Sequence, residues 1–194
     1  MRLRLAILVS LLMTLLPAAS SEKKDPDAVN IVGNTFESPY FKFHYSVPQD
    51  WLNLDNVLRM DRNRKRHKEA GKHPGTIHWT YDLLLAAPTT VPVEDKLSLP
   101  YIHILAVEGA PGPLGTYAKM FANAKSIKTL HEPRPLSFSG HRFMESALLH
   151  NDSHYEVLFD TTQRNFLLIF EFHGRTQDEV NALAQTMESI RFEK

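Results

Sequence analysis

Residues 154–173 read HYEVLFDTTQRNFLLIFEFH, and their spacing decides the fold. Tyr155, Val157 and Phe159 recur at every second position, and Phe166, Leu168, Phe170 and Phe172 then do the same. A two-residue period marks a strand with one face on a core. Gln163 and Arg164 fall in the turn between the two strands. On the N-terminal side, HRFMESALLH at 141–150 supplies a third strand, with Asn151, Asp152 and Ser153 as its hairpin turn. On the C-terminal side, Gly174 ends the run. Thr176 and Glu179 have the spacing of a capping box, in which hydroxyl and carboxylate satisfy each other's backbone N–H groups. Val180, Leu183, Ala184, Met187 and Ile190 then make the apolar face of a terminal helix, and Phe192 tucks against the sheet.

Further upstream the same reading gives a strand at 101–108 (YIHILAVE), a loop at 89–100 and a strand in IHWTYDLLLAAP. In that strand Ile77, Trp79, Tyr81, Leu83 and Leu85 share one face, opposite His78, Thr80 and Asp82. Gly109 to Pro113 turn the chain into an amphipathic helix on Leu114, Tyr117, Ala118, Phe121 and Ala124. EPRPLSFSGH at 132–141 is a proline-containing connection, at most an edge strand. Residues 55–75 form a surface helix with a thin apolar contact of Val57, Leu58 and Met60, stopped near Gly71. Phe41, Phe43, Tyr45 and Val47 alternate with Lys42, His44 and Ser46, so His44 belongs to the polar face of a strand that ends at Pro48. The class is α+β, one antiparallel sheet flanked by helices.

The chain opens MRLRLAILVSLLMTLLPAASSEKKDPD. Arg2 and Arg4 precede the apolar run Leu5 to Leu16, followed by Pro17 and small residues. The run falls short of the roughly 20 apolar residues that span a bilayer, so residues 1–20 read as a secretory signal peptide. Residues 21–35 read as a linker and 36–194 as a single domain. The expected location is exported, periplasmic or secreted, with no transmembrane segment in the mature chain. Export permits disulfides, but the chain has 0 cysteines, so its stability rests on its core and thiolate metal sites are excluded. Loss of Arg2 and Arg4 from 22 basic residues leaves 20 against 22 acidic ones, a balance that argues against nucleic acid as a partner.

The quoted alternation in SPYFKFHYSVPQDW (38–51), the middle amphipathic helix and the ending GRTQDEVNALAQTMESIRF (174–192) together resemble the PsbP-like superfamily, which includes bacterial exported domains of unknown function. Ser189, Ile190, Arg191 and Phe192 match its Ser–Ile–x–Phe ending. The resemblance covers roughly residues 36–193. It implies an antiparallel sheet between helical layers, a sandwich, and a role in binding or assembly. It implies no catalytic set.

The residues themselves offer few chemical motifs. His67, His73 and His78 sit among cations that disfavour a divalent ion, and no HExxH spacing occurs. His150 and His154 bracket the turn at Asp152 and face each other only if that turn has three residues. There is no GxSxG elbow. GAPGPLG lacks both phosphate-binding signatures, and its prolines remove amide donors. The expectation is therefore no cofactor and no stoichiometric metal. RNRKRHK at 62–68 is the one marked charge feature. Arg62, Arg64, Lys65, Arg66 and Lys68 are the candidate contacts with an anionic surface, with Arg64 and Arg66 on the solvent face. The reading is an exported, non-enzymatic binding or assembly module. Its partner would be a protein, an envelope polymer or an anionic lipid surface. The alternative is a hydrolase whose site is assembled from distant loops.

Overall fold

The computed structural model describes residues 25–53, 56–72, 79–90, 99–109, 113–122 and 126–193. The expected signal peptide, His73, His78 and residues 91–98 of the expected loop lie outside the described residues.

The central meander forms as its spacing requires. His141–His150 (β8), His154–Gln163 (β9) and Phe166–Gly174 (β10) pair antiparallel in sequence order. Gln163 pairs with Phe166, so the second turn is Arg164 and Asn165 rather than Gln163 and Arg164. Both turn residues have positive φ (50° and 66°), the conformation that matches the twist of a two-residue hairpin. Ile127–Phe138 (β7) closes one edge and carries Pro133 and Pro135, which an edge tolerates. Tyr101–Glu108 (β6), Thr80–Pro88 (β5) and the short Trp51–Asn53 (β4) extend the other side, giving seven strands in the order β4-β5-β6-β10-β9-β8-β7.

The single sheet expected from the sequence is in fact two. Asn30–Val32 (β1), Thr35–Ser38 (β2), Phe43–Ser46 (β3) and the terminal Arg191–Phe192 (β11) make a separate four-stranded sheet. Its first strand lies inside the expected linker. His44 is on its outer face, 3.4 Å from Glu37 and 2.7 Å from Glu193. Phe36, Phe43 and Tyr45 point the other way, onto the seven-stranded sheet. There Phe43 meets Phe170 edge to face at 5.5 Å, and Phe41 meets Phe166 at 5.1 Å. The terminal helix Gln177–Ala184 (α3) closes the same core with Val180 and Leu183, and the 3-10 turn that follows adds Met187. Thr176 caps α3 by accepting from the Glu179 N–H at 3.1 Å, while Glu179 accepts from the Arg175 N–H at 2.6 Å. The reciprocal carboxylate bond thus falls one residue short of the capping-box position.

Two departures from simple periodicity set up the opposite face of the large sheet. A bulge at Leu83 separates the Asp82–Leu105 pair from the Leu84–Ile104 pair. The extra residue reverses the parity of the strand. Leu84 and Ala86 join the core, and Leu85 turns away from the face it was expected to share with Tyr81. The second departure is the helix Asn56–Lys72 (α1), which meets β5 through polar groups. Asn63 accepts from the Asp82 N–H at 2.7 Å and donates back to the Asp82 carbonyl at 3.1 Å, while Arg59 donates to the same carbonyl at 3.2 Å. The helix thereby caps the backbone of β5 beyond the reach of β4, satisfying groups that an open edge would leave bare. This accounts for its thin apolar stripe. Met60, expected as an apolar contact, is exposed.

Candidate functional site

The outer face of the seven-stranded sheet carries a row of ionisable side chains across β5, β6, β10, β9 and β8. Asp82, His103, Glu171, His173 and Glu156 are all buried. They are partnered in series. His103 bridges Asp82 (Nε2 to Oδ1, 2.7 Å) and Glu171 (Nδ1 to Oε2, 2.8 Å). Tyr117, on the helix Thr116–Ala122 (α2), donates to the other Glu171 oxygen at 3.0 Å. His173 Nδ1 lies 2.8 Å from His154 Nε2, and His150 Nε2 lies 2.5 Å from Glu156. At the α1 end, Arg66 bonds Asp82 at 2.9 Å and Arg62 sits 3.2 Å from its second oxygen.

The row exists because strand parity aligns these positions. Glu171 pairs with His103, and His173 is flanked by Tyr101 and Glu156. Leu105, Leu167 and Ile169 form an apolar patch at one end, with Leu114 and Tyr117 on it. Gly115, at φ +83°, turns its N–H onto both oxygens of buried Asp160, at 2.8 and 3.0 Å.

Burial opposes every charge here, and the partners decide the outcome. For His103, the two carboxylates outweigh desolvation and push it up to about 9. For Glu171, desolvation is overcome by the hydrogen bond and charge of His103, which hold it well below the usual carboxylate range. Asp82 is likewise held low against its burial by His103, Arg66 and Arg62. His154 goes the other way, down to about 4, through burial and its neighbours His173 and His150. Burial lifts Asp160 to about 6, with the Gly115 N–H only partly offsetting it. Burial and the Glu171 charge push the Tyr117 hydroxyl up, away from nucleophilic character.

Three of these groups can ligate together. The ligand atoms of Glu156, Glu171 and His173 lie within 4.8 Å of one another. Among the described residues, no serine or threonine hydroxyl hydrogen-bonds a histidine.

The candidates read from sequence are placed differently from one another. The first hairpin turn has three residues, so His150 and His154 pair and stack with ring centroids 4.9 Å apart. Asp152 is not their third member: it reaches outward to Lys128. Glu156, two residues beyond His154 on β9, takes that place beside His150. In the basic run, Arg64, Lys65 and Lys68 are exposed. Arg66 is not on the free solvent face: it and Arg62 turn to Asp82, because their spacing carries them to the side of α1 that meets β5. His67 packs edge to face between Trp79 and Tyr81 at 4.6 and 4.7 Å. A shallow cleft of about 500 Å³ runs beside α1, lined by Asp25, Val29, Met60, Arg64 and His67 among others. Sequence reasoning missed Asp82, His103, Glu156, Glu171 and His173. The available signal was two polar residues, Glu171 and His173, alternating within the apolar strand 166–173.

No protein-family model and no curated protein matches the chain. Among solved structures it is similar to cyanobacterial PsbP (CyanoP) from Synechocystis sp. PCC 6803. That likeness has a TM-score of 0.48 and 10% identity, over 91% of this chain and 99% of the other. It is also similar to LpqN, involved in cell envelope biogenesis of Mycobacterium tuberculosis, with a TM-score of 0.45 and 13% identity over 88% and 87%. No helix among the described residues is long and apolar enough to cross a membrane.

Proposed function

We propose that this is an exported, non-enzymatic binding module that meets an anionic surface, lipid or envelope polymer, through the outward face of α1. The observation that supports this most directly is the division of labour along that helix. Arg59 and Asn63 are buried against β5, and Arg62 and Arg66 are engaged with Asp82, which holds the helix in place. Arg64, Lys65 and Lys68 are left pointing outward beside a cleft whose wall includes exposed Met60. Long cationic side chains on a fixed helix gain from a diffuse negative field without needing one ligand geometry. The signal-peptide reading of residues 1–20 supports placing that encounter outside the cytoplasm.

Sedimentation with anionic vesicles and, separately, with isolated envelope polymer tests this reading. Binding should weaken from low to physiological salt, where screening shortens the field to about 8 Å. Arg64→Glu combined with Lys68→Glu should abolish most of it with the fold intact, since both side chains are exposed. Equal binding by wild type and the double variant to both targets would sink the proposal, and the arm that responds identifies the surface.

A further inference from the structure

We infer that Glu156, Glu171 and His173 form a site for a divalent first-row transition-metal ion, with zinc as the simplest occupant. The three ligand atoms come from adjacent strands, Glu156 from β9 and the other two from β10, and already converge to within 4.8 Å. Bonds of about 2.0–2.2 Å in a tetrahedron place ligand atoms about 3.4 Å apart. Closure therefore needs each to move inward by less than about 1 Å.

An independent observation points to the ion. His173 is buried, and its Nε2 has no hydrogen-bond partner. The nearest carboxylate oxygen, Glu171 Oε2, is 3.7 Å away, beyond hydrogen-bonding reach. Buried polar atoms are rarely left so. If Nδ1 carries the proton and donates to His154, the Nε2 lone pair faces the two carboxylates, the state in which imidazole ligates.

The surroundings have the form of a metal's outer shell, in which each ligand is held by a second group. His150 holds Glu156 at 2.5 Å. His103 and Tyr117 hold Glu171 at 2.8 and 3.0 Å. His154 bonds His173, and Tyr101 stacks on its ring at 4.1 Å. Two carboxylates and a neutral imidazole balance a divalent charge, and the imidazole favours zinc-like ions over calcium or magnesium. The expectation of no metal came from ligand spacing along the chain. Glu156 and Glu171 are brought together only by the hairpin that pairs β9 with β10.

The site is separate from the outward face of α1, so its test stands apart from vesicle binding. The protein is stripped with chelator and titrated with zinc and then cobalt(II), with bound metal counted per chain. Wild type should take up one ion, show cobalt ligand-field bands and melt at higher temperature with zinc. Glu156→Gln and His173→Gln should each weaken binding by at least about tenfold. His44→Gln, at the distant carboxylate-flanked histidine of the small sheet, should bind as wild type. No stoichiometric uptake would overturn the inference. So would unchanged affinity in either ligand variant, since that assigns the ion to other histidines. If a variant does not fold, wild-type imidazole ¹⁵N resonances decide: the His173 Nε2 signal must move on zinc addition, and a signal that stays put refutes the site.

Discussion

The two faces of the seven-stranded sheet are both buried along its central strand β10, yet they are built from opposite chemistries. Along β10, Phe166, Leu168, Phe170 and Phe172 enter the aromatic core, while Leu167, Ile169, Glu171 and His173 face the other way. Every residue of that strand is buried. The inner face is held by packing that tolerates no gap. The outer face is held by hydrogen bonds between ionisable groups, charge-assisted from Arg66 through Asp82 and His103 to Glu171. Depth alone therefore says nothing about role. A buried strand position is structural or chemical according to which side of the sheet it addresses.

Neighbouring positions on β10 make the contrast measurable. Phe170→Ala should cost about 3–5 kcal/mol in denaturant unfolding, through lost transfer energy and a cavity between Phe43 and Phe143. Glu171→Gln, one residue on, leaves the volume almost unchanged. It should still cost about 2–3 kcal/mol, because His103 and Tyr117 lose a charged acceptor. The second measurement is made in chelator, and a cost near zero would mean that the outer row is not structurally coupled.

Asp160 sharpens the comparison by pH. Its folded value, about 6, lies above the usual 3.8, so the folded state holds the proton more tightly. Its stabilising contribution is complete below about pH 4 and is lost as pH rises through about 6. Asp160→Asn keeps an acceptor for the Gly115 N–H and removes the buried charge. Relative to wild type it should gain about 1–2 kcal/mol between pH 4 and pH 8. A difference that stays constant with pH rules out the buried-carboxylate account. At the end of the row the effect is smallest. Arg66→Ala should cost about 1 kcal/mol through its bond to Asp82, and Arg64→Ala, paired only with exposed Asp61, less than about 0.5 kcal/mol in thermal unfolding.

Alternation at 154–173 is a local signal, and its two strands form where it places them. The proline-containing connection read at 132–141 is instead the end of a full edge strand that begins at Ile127, and the terminal apolar face passes from α-helix to a 3-10 turn after Ala184. The histidine pair was legible too, conditional on a turn length that sequence leaves open. The polar row was not. Asp82 and His103 each read as the polar member of an ordinary strand, since nothing in either segment records that they become partners 2.7 Å apart. The basic run read as a uniform solvated face because spacing alone does not say which side of a polar helix meets the sheet.

Sequence by itself determined the period of the central strands β9 and β10, the Thr176 cap of the last helix and the balance of charge, because these depend on composition or on residues within a few positions of one another. Tertiary structure decided that the N-terminal strands and Arg191–Phe192 form their own sheet. It also decided that a bulge at Leu83 turns Leu85 away from the core, and that Arg62 and Arg66 are spent on Asp82 while Arg64 is not. Those outcomes hang on strand order and register between segments far apart in the chain. A register change of one residue sends every side chain of a strand to the opposite face. Glu171 and His173 share a face through their own spacing, but the arrival of Glu156 beside them depends on that register.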